Sequence, residues 1–358
     1  TGDFSFYRAY VGKDGRPAAY SKDNVPFQPR HWLKIADQPL REGDFVMVAG
    51  YPGSTSRYAL ANDFDATAAW TYPTVSKRYK ELVAMVLAAG EANKDIAVKY
   101  ANTVRGWENT LKNYDGQMEG FKRMGAAGIK REREQAVLDW LKSRGDAGKQ
   151  ALAAHDTLVA LGDAARKTRE RDGVIGNVGG ALGSTALSLY RLAVEREKPD
   201  AQRESGYQQR DEATIEGGLK QLQRRYDPQV EKATLLFALD RYFALPAAQR
   251  VPEFDAVFGK DKAMAAAMLN TLYIETKLGD EANRLALMKA DPKAVAASAD
   301  PMMKAAAALQ PALLRMEDEA KQRSGELLRL RPAYMRALIG YRNSQGKAVY
   351  PDANSTLR

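Results

Sequence analysis

The sequence predicts an α+β fold in which a long all-α block lies between short β segments. Three observations carry this. Near the start, apolar residues gather in short stretches bounded by glycine, proline and aspartate, the punctuation of strands and turns. From about Thr74 the apolar period changes to three and four. At Tyr350-Pro351-Asp352-Ala353-Asn354-Ser355-Thr356-Leu357-Arg358 the β character returns. That layout reads as an insertion carried together with the edges of its host, and so as part of a larger protein.

Thr1 to Arg8 reads as a buried strand with one carboxylate, Asp3, at its mouth. A hairpin is predicted over Val11 to Pro17 with Lys13-Asp14-Gly15 as its turn, and a further strand over Gly43 to Gly50. In the helical block, Val75, Tyr79, Leu82, Val83, Val86 and Leu87 mark one face of a first helix. Tyr100, Val104, Trp107, Leu111, Tyr114, Met118 and Phe121 mark a second, over Val98 to Met124. Ile129 to Asp172 predicts an antiparallel helical hairpin broken near Ser143 to Gly148, and Ser184 opens another helix. Further helices are expected over Ala201–Arg225, Pro228–Phe243, Lys260–Lys277, Asp280–Lys289, Met302–Gln322 and Gly325–Arg342. Asp291-Pro292 and Asp300-Pro301 each set proline at a first helical position behind an aspartate N-cap. No repeat of fixed period links these segments, so the block is an irregular bundle rather than a solenoid.

Composition narrows the chemistry. The chain has 358 residues and is 45% hydrophobic, enough for a packed core. It has no cysteine, which removes disulfides, thiolate metal sites and cysteine nucleophiles. The two histidines, His31 and His155, are too few for a histidine-rich metal site, and neither a metal nor a cofactor is expected. No apolar run approaches the roughly 18 residues that span a bilayer, so no membrane partner is expected. A net charge of +9 raises the question of nucleic acid. The basic residues, however, alternate with acidic ones, as in Lys130-Arg131-Glu132-Arg133-Glu134, which is the pattern of a solvated helix face. No nucleic-acid partner is expected.

Few residues carry chemistry by pattern alone. Asp3, between Gly2 and the aromatic Phe4 and Phe6, has the setting of a carboxylate that orients a catalytic histidine. The plain alternative is a turn or cap residue. His31 and His155 read as structural, and Ser54, Ser56 and Ser184 are nucleophile candidates by type only. The glycine-rich run from Gly173 to Gly183 follows a charged helix and lacks the lysine of a phosphate loop, so it reads as a tight turn or a close helix crossing. Asn109 sits inside an amphipathic helix, where asparagine is a mediocre helix former. It is open to a cap, a bundle hydrogen bond, or a ligand whose ammonium its carbonyl accepts from.

The ordered set Gly2-Asp3-Phe4-Ser5, Tyr20-Ser21-Lys22-Asp23-Asn24-Val25-Pro26, Gly50-Tyr51-Pro52-Gly53, Glu108-Asn109, Lys112-Asn113-Tyr114, Gly116 and the closing Tyr350 to Arg358 resembles the bacterial dipeptidyl peptidase 7 and 11 family. This is serine-peptidase family 46, which also holds dipeptidyl aminopeptidase BII. The resemblance implies a chymotrypsin-like double β-barrel with a large inserted all-α cap. Residues 1–60 would belong to the barrel, 61–345 to the cap, and 346–358 to a strand returning to the barrel. It implies that Asp3 is the triad aspartate, with the histidine upstream of Thr1 and the serine downstream of Arg358, and that Asn109 helps hold the substrate's free α-amino group. It further implies a secreted or periplasmic enzyme that releases dipeptides from oligopeptides, a chain inactive without its remaining segments, and room for a homodimer. The competing reading is a non-enzymatic helical interaction module whose β ends are mere sheet edges.

Overall fold

A computed structural model describes residues 6–47, 53–177, 179–350 and 352. The chain divides into two compact units, Thr1–Ser54 with Ala353–Arg358, and Thr55–Asp352.

In the smaller unit the strands β1 (Tyr10–Val11) and β2 (Val25–Pro26) pair antiparallel, Tyr10 opposite Pro26 and Val11 opposite Val25. The expected Val11–Pro17 hairpin is corrected to a tight turn. Gly15 donates to the Gly12 carbonyl at 2.8 Å with its own φ at 77°, a left-handed value natural to glycine. Pro17 has no N–H to continue a ladder, so Val11 finds its partner in Val25 instead. The expected strand over Gly43–Gly50 is absent across its described part: Gly43 has φ 92° and the Asp44 carboxylate accepts from Arg41 N at 2.8 Å, which makes a turn. Residues 6–8 are likewise not a strand.

The larger unit is helical. α1 (Ala61–Ala66) runs through one π-helical turn, Thr67–Thr71, into α2 (Tyr72–Ala92). Pro73, which offers no N–H and crowds the carbonyl four residues back, accounts for the wider turn before it. α1 lies upstream of the predicted start because its cap is not local: Ala61 N donates to Glu134 Oε2 at 2.6 Å, from another helix. α3 (Lys94–Met124), α4 (Ala126–Lys142) and α5 (Gly145–Ile175) follow, with the α4–α5 break close to where it was expected. α6 (Gly180–Arg196) starts one turn earlier than Ser184.

The single helix expected over Ala201–Arg225 is corrected to short 3₁₀ turns around α7 (Glu212–Gln221). Gly206 turns at φ 92°, and the Asp211 carboxylate accepts from Gly206 N and Gln208 N, both at 3.1 Å, which caps a new helix instead of continuing an old one. Next come α8 (Pro228–Phe243), the unexpected seven-residue α9 (Pro252–Phe258), α10 (Lys262–Glu275) and α11 (Glu281–Lys289). α12 (Pro292–Ala296) and α13 (Pro301–Ser344) both begin as the Asp-Pro pairs predict. Asp291 accepts from Lys293 N and Asp300 from Met302 N, each at 2.9 Å.

α13 is one helix, not the two expected around Gly325. At 1.5 Å per residue its 44 residues reach about 66 Å, and they serve two cores. Met302, Met303, Ala306 and Leu309 join the main core with α6, α8, α9 and α10. Tyr334, with Leu327 and Leu338 beside it, joins a second core with Val137 and Leu141 of α4 and Leu158 of α5. Packing at both ends keeps the glycine and the interior prolines helical. A third, smaller cluster ties the α2–α3 hairpin to α8 through Val86, Tyr100, Val104 and Val230.

Candidate functional site

Asn109 lies on α3, and every turn of α3 has a reason. Asn93 caps its start by accepting from Asp95 N at 3.0 Å. Asp95 pairs with Lys99 one turn on, Lys122 and Arg123 occupy the last turn, and Gly125 closes it at φ 60°. Ile96, Tyr100 and Val104 bury one face against α2 and α8. Near the α2–α3 turn a Cβ on Gly90 would stand 3.1 Å from Ala97 Cβ, so glycine lets the two helices close.

Asn109 is exposed on the opposite side, and its side chain makes no hydrogen bond among the described residues. Of the three roles open to it in the sequence, the capping and bundle-bonding roles are therefore unfilled. Asn113, one turn on, is held: Gln117 Nε2 donates to its Oδ1 at 2.6 Å, and Tyr72 OH donates to Gln117 Oε1 at 3.1 Å. Tyr114 stacks on Tyr72 with ring centroids 4.2 Å apart. Asp115 accepts from Ser76 at 2.6 Å and pairs with Lys80 at 2.8 Å; the Lys80 bond first, then the Ser76 bond, hold its pKa below the usual carboxylate value. The stripe is thus anchored from α2 while its outer amides face solvent. Gly106 and Gly116 lie on the same exposed stripe, and a Cβ at either would meet nothing within 4 Å. Such a surface can accept from an ammonium and donate to a peptide carbonyl. Arg105 and Lys112 flank Asn109 on this face, so a bound ammonium would need a carboxylate from elsewhere to balance it.

The other candidates fall apart in different ways. Asp3 lies outside the described residues. His31 is exposed. His155, which reads as structural in the sequence, is buried, with Nε2 2.9 Å from Glu134 Oε1 and Nδ1 3.3 Å from Asp156 Oδ1. The Glu134 hydrogen bond raises its pKa against the opposing effect of burial. Burial works to raise the pKa of Glu134 too, but the bonds from His155 and Ala61 N outweigh it, and the value lies below normal. This resembles a catalytic pair, yet neither histidine hydrogen-bonds a serine among the described residues, and the pair instead joins α1, α4 and α5. No cluster of three or more metal-ligating side chains occurs among the described residues, and no described helix is long and apolar enough to cross a membrane.

The glycine-rich run resolves as the α5–α6 connection. Gly180 has φ 58°, and the first amides of α6 are already occupied: Glu231 of α8 accepts from Ala181 N and, at 3.3 Å, from Leu182 N. A protein carboxylate fills the place a phosphate would take. Burial raises the pKa of Glu231, and the Tyr273 hydroxyl and both amides work against that rise.

The chain is a largely helical protein that also carries a small β unit, and comparison with known proteins names the family. The chain belongs to the Peptidase S46 family, whose pattern matches residues 1–358. It is 39% identical over its whole length to the Asp/Glu-specific dipeptidyl-peptidase of Shewanella putrefaciens, covering 49% of that protein. It is 25% identical over its whole length to dipeptidyl-peptidase 7 of Capnocytophaga gingivalis, again covering 49%. The chain therefore spans about half the length of the curated relatives it matches. In fold it matches Porphyromonas endodontalis DPP11 in complex with the dipeptide Arg-Asp, with a TM-score of 0.70 and 22% identity over 97% of this chain and 49% of that one.

Proposed function

We propose that this chain is the middle portion of a serine exopeptidase that releases dipeptides from the free N-terminus of oligopeptides. The observation that carries the reading is the match of the whole chain to a peptidase family whose curated relatives are dipeptidyl-peptidases. In this reading residues 1–60 and 346–358 complete a chymotrypsin-like double β-barrel with the rest of the protein, and 61–345 form the cap. The exposed aromatic and aliphatic side chains of the smaller unit, Trp32, Leu33 and Phe45 among them, support a larger barrel core. The enzyme is bacterial and works in the periplasm or outside the cell.

Asp3 accepts a hydrogen bond from the catalytic histidine, which fixes its tautomer and favours its imidazolium form. The histidine takes the serine proton as the serine oxygen attacks the scissile carbonyl. It returns that proton to the leaving amine, leaving an ester of the dipeptide. Water then attacks the ester with the histidine again as base, and the dipeptide leaves with its new carboxylate. Asn109 aligns the substrate's ammonium end two residues from the cut, converting remote binding into position. The first relative's name supports a preference for Asp or Glu before the cleaved bond.

The test is hydrolysis of dipeptidyl chromogenic substrates by the full-length enzyme and by its Asn109→Ala variant. The expected result is a loss of about 10- to 100-fold in kcat/KM on free-amino substrates, with little change in thermal stability. Equal kinetics with a large fall in stability would make Asn109 a structural residue. Faster cleavage after hydrophobic than after acidic residues would remove the acidic preference alone.

A further inference from the structure

A cavity of about 770 Å³ lies wholly within the helical unit, among α2, α3, α5, α8 and the start of α6. It is not the Asn109 face. Trp107 of α3 lines it, and two helical residues apart the directions of Trp107 and Asn109 differ by about 160°. Trp70, Trp107 and Phe237 give the cavity broad apolar walls.

Its charge is lopsided. Lys77, Arg78, Arg169, Arg225 and Arg241 line it against Glu170 and Glu231. Two of these groups are already satisfied. Arg241 is paired with Glu81, and Glu231 holds the α6 amides and the Tyr273 hydroxyl. Lys77, Arg78, Arg169 and Arg225 have no ion pair among the described residues. Arg169 sits over Trp70, its guanidinium carbon 3.9 Å from the ring centroid, and its N–H groups make no hydrogen bond among the described residues. Arg78 is the sharper case. Its Nε is shut off from solvent and has no hydrogen-bond partner. That sealed nitrogen is out of a ligand's reach, so Arg78 meets the cavity through its other atoms, and no hydrogen bond or ion pair to its guanidinium occurs among the described residues.

We propose that this cavity is a second ligand site that takes a small organic anion with two carboxylates and an apolar body, the chemistry of a short acidic peptide. Arg78 and Arg169 grip the carboxylates in the forked geometry natural to guanidinium, and Trp70, Trp107 and Phe237 hold the apolar part. A volume of this size suits a ligand of a few residues. The inference does not depend on the catalytic reading, because it uses no residue of the Asn109 face.

The probe is N-acetyl-phenylalanyl-glutamate, whose blocked terminus cannot use the Asn109 amide, titrated calorimetrically into the full-length protein. Binding is expected, weakening steeply with salt. Arg78→Met and Arg169→Met should each weaken it about tenfold or more, and Asn109→Ala should leave it unchanged. The uncharged N-acetyl-phenylalanyl-glutamine amide should not bind. Without ligand, Arg78→Met should keep or raise the melting temperature, since it removes a buried N–H that has no acceptor. Unchanged binding in the Arg78→Met Arg169→Met double variant would overturn the proposal. A sharp fall in ligand-free stability of Arg78→Met would do so as well, as would a full-length structure with the cavity filled by the protein's own chain.

Discussion

The two units treat apolar side chains in opposite ways. In the helical unit Leu239 is 0% exposed, and in the smaller unit Leu33 is 96% exposed. The difference follows from where backbone hydrogen bonds are made. A helix closes its own ladder within four residues and then needs only one buried face. A strand has no partner inside itself, so a segment with strand composition stays irregular until another segment pairs with it. The helical unit therefore buries a core of its own, whereas the small unit's Trp32, Leu33 and Phe45 stay exposed, and in the proposed enzyme they belong to the barrel. In the proposed enzyme the same division separates chemistry, through Asp3, from substrate positioning, through Asn109.

The largest effect should come from the chemical half. Asp3→Asn in the full-length enzyme is expected to cut turnover by about 10⁴-fold, because the histidine would lose its tautomeric partner, while denaturant unfolding stays close to the parent. Near-normal turnover would detach Asp3 from the triad.

Next comes a paired test of burial. Leu239→Ala should destabilise the helical unit by about 2–5 kcal/mol in urea unfolding, from lost transfer energy and the cavity left behind. Leu33→Ala should cost less than about 0.5 kcal/mol in residues 1–358 alone, and clearly more in the full-length protein. An equally small cost in both settings would mean that Leu33 remains on a surface, and the contrast between the two units would lose its meaning.

A smaller effect is a pH dependence confined to the helical unit. His155 has a raised pKa in the fold, so its contribution is fully present below the unfolded histidine value of about 6.5 and is lost as pH rises through the folded value. Glu134 has a lowered pKa, so its contribution is present above the usual carboxylate range and lost as pH falls through the folded value. The pair is strongest between these limits. Asp156, Lys130 and Tyr334 surround it: Asp156 adds to the histidine shift, Lys130 helps lower Glu134, and the Tyr334 ring lies 5.4 Å from the imidazole. Glu134→Gln retains an acceptor for Ala61 N but should flatten the alkaline fall in melting temperature. An unchanged profile would assign that fall to other groups.

The sequence was most legible where a local signal existed. The Asp-Pro caps, the α4–α5 break and the α3 apolar face are written in neighbouring residues. What escaped depends on distant partners. α1 is capped by Glu134, seventy-odd positions away, so no nearby residue announces it. The 200s loop is held by the buried Glu195, which accepts from Glu204 N and Lys198, each at 2.9 Å, and periodicity cannot show that. The α13 continuity across Gly325 needed two separate cores. At the candidate site, asparagine in a helix was a visible anomaly, whereas the anchoring of its stripe through Tyr72, Gln117 and Asn113 was not. The cationic cavity was invisible, since its charges come from α2, α5 and α8 and from Arg225 in the connection before α8.

The smallest effect tests the stripe itself. Gly106 and Gly116 stand in the interior of α3, where glycine costs roughly 0.5–1 kcal/mol relative to alanine, and neither has a neighbour that a methyl group would strike. On stability alone, alanine is the better residue at both positions. Gly106→Ala and Gly116→Ala should therefore each raise stability by about that amount in urea unfolding. If the backbone there is bared so that a substrate end can come close to Asn109, the same changes should raise KM for free-amino dipeptidyl substrates. A variant better in both stability and activity would show that the glycines serve nothing on that face. The substrate end would then have to be sought at another surface of the cap.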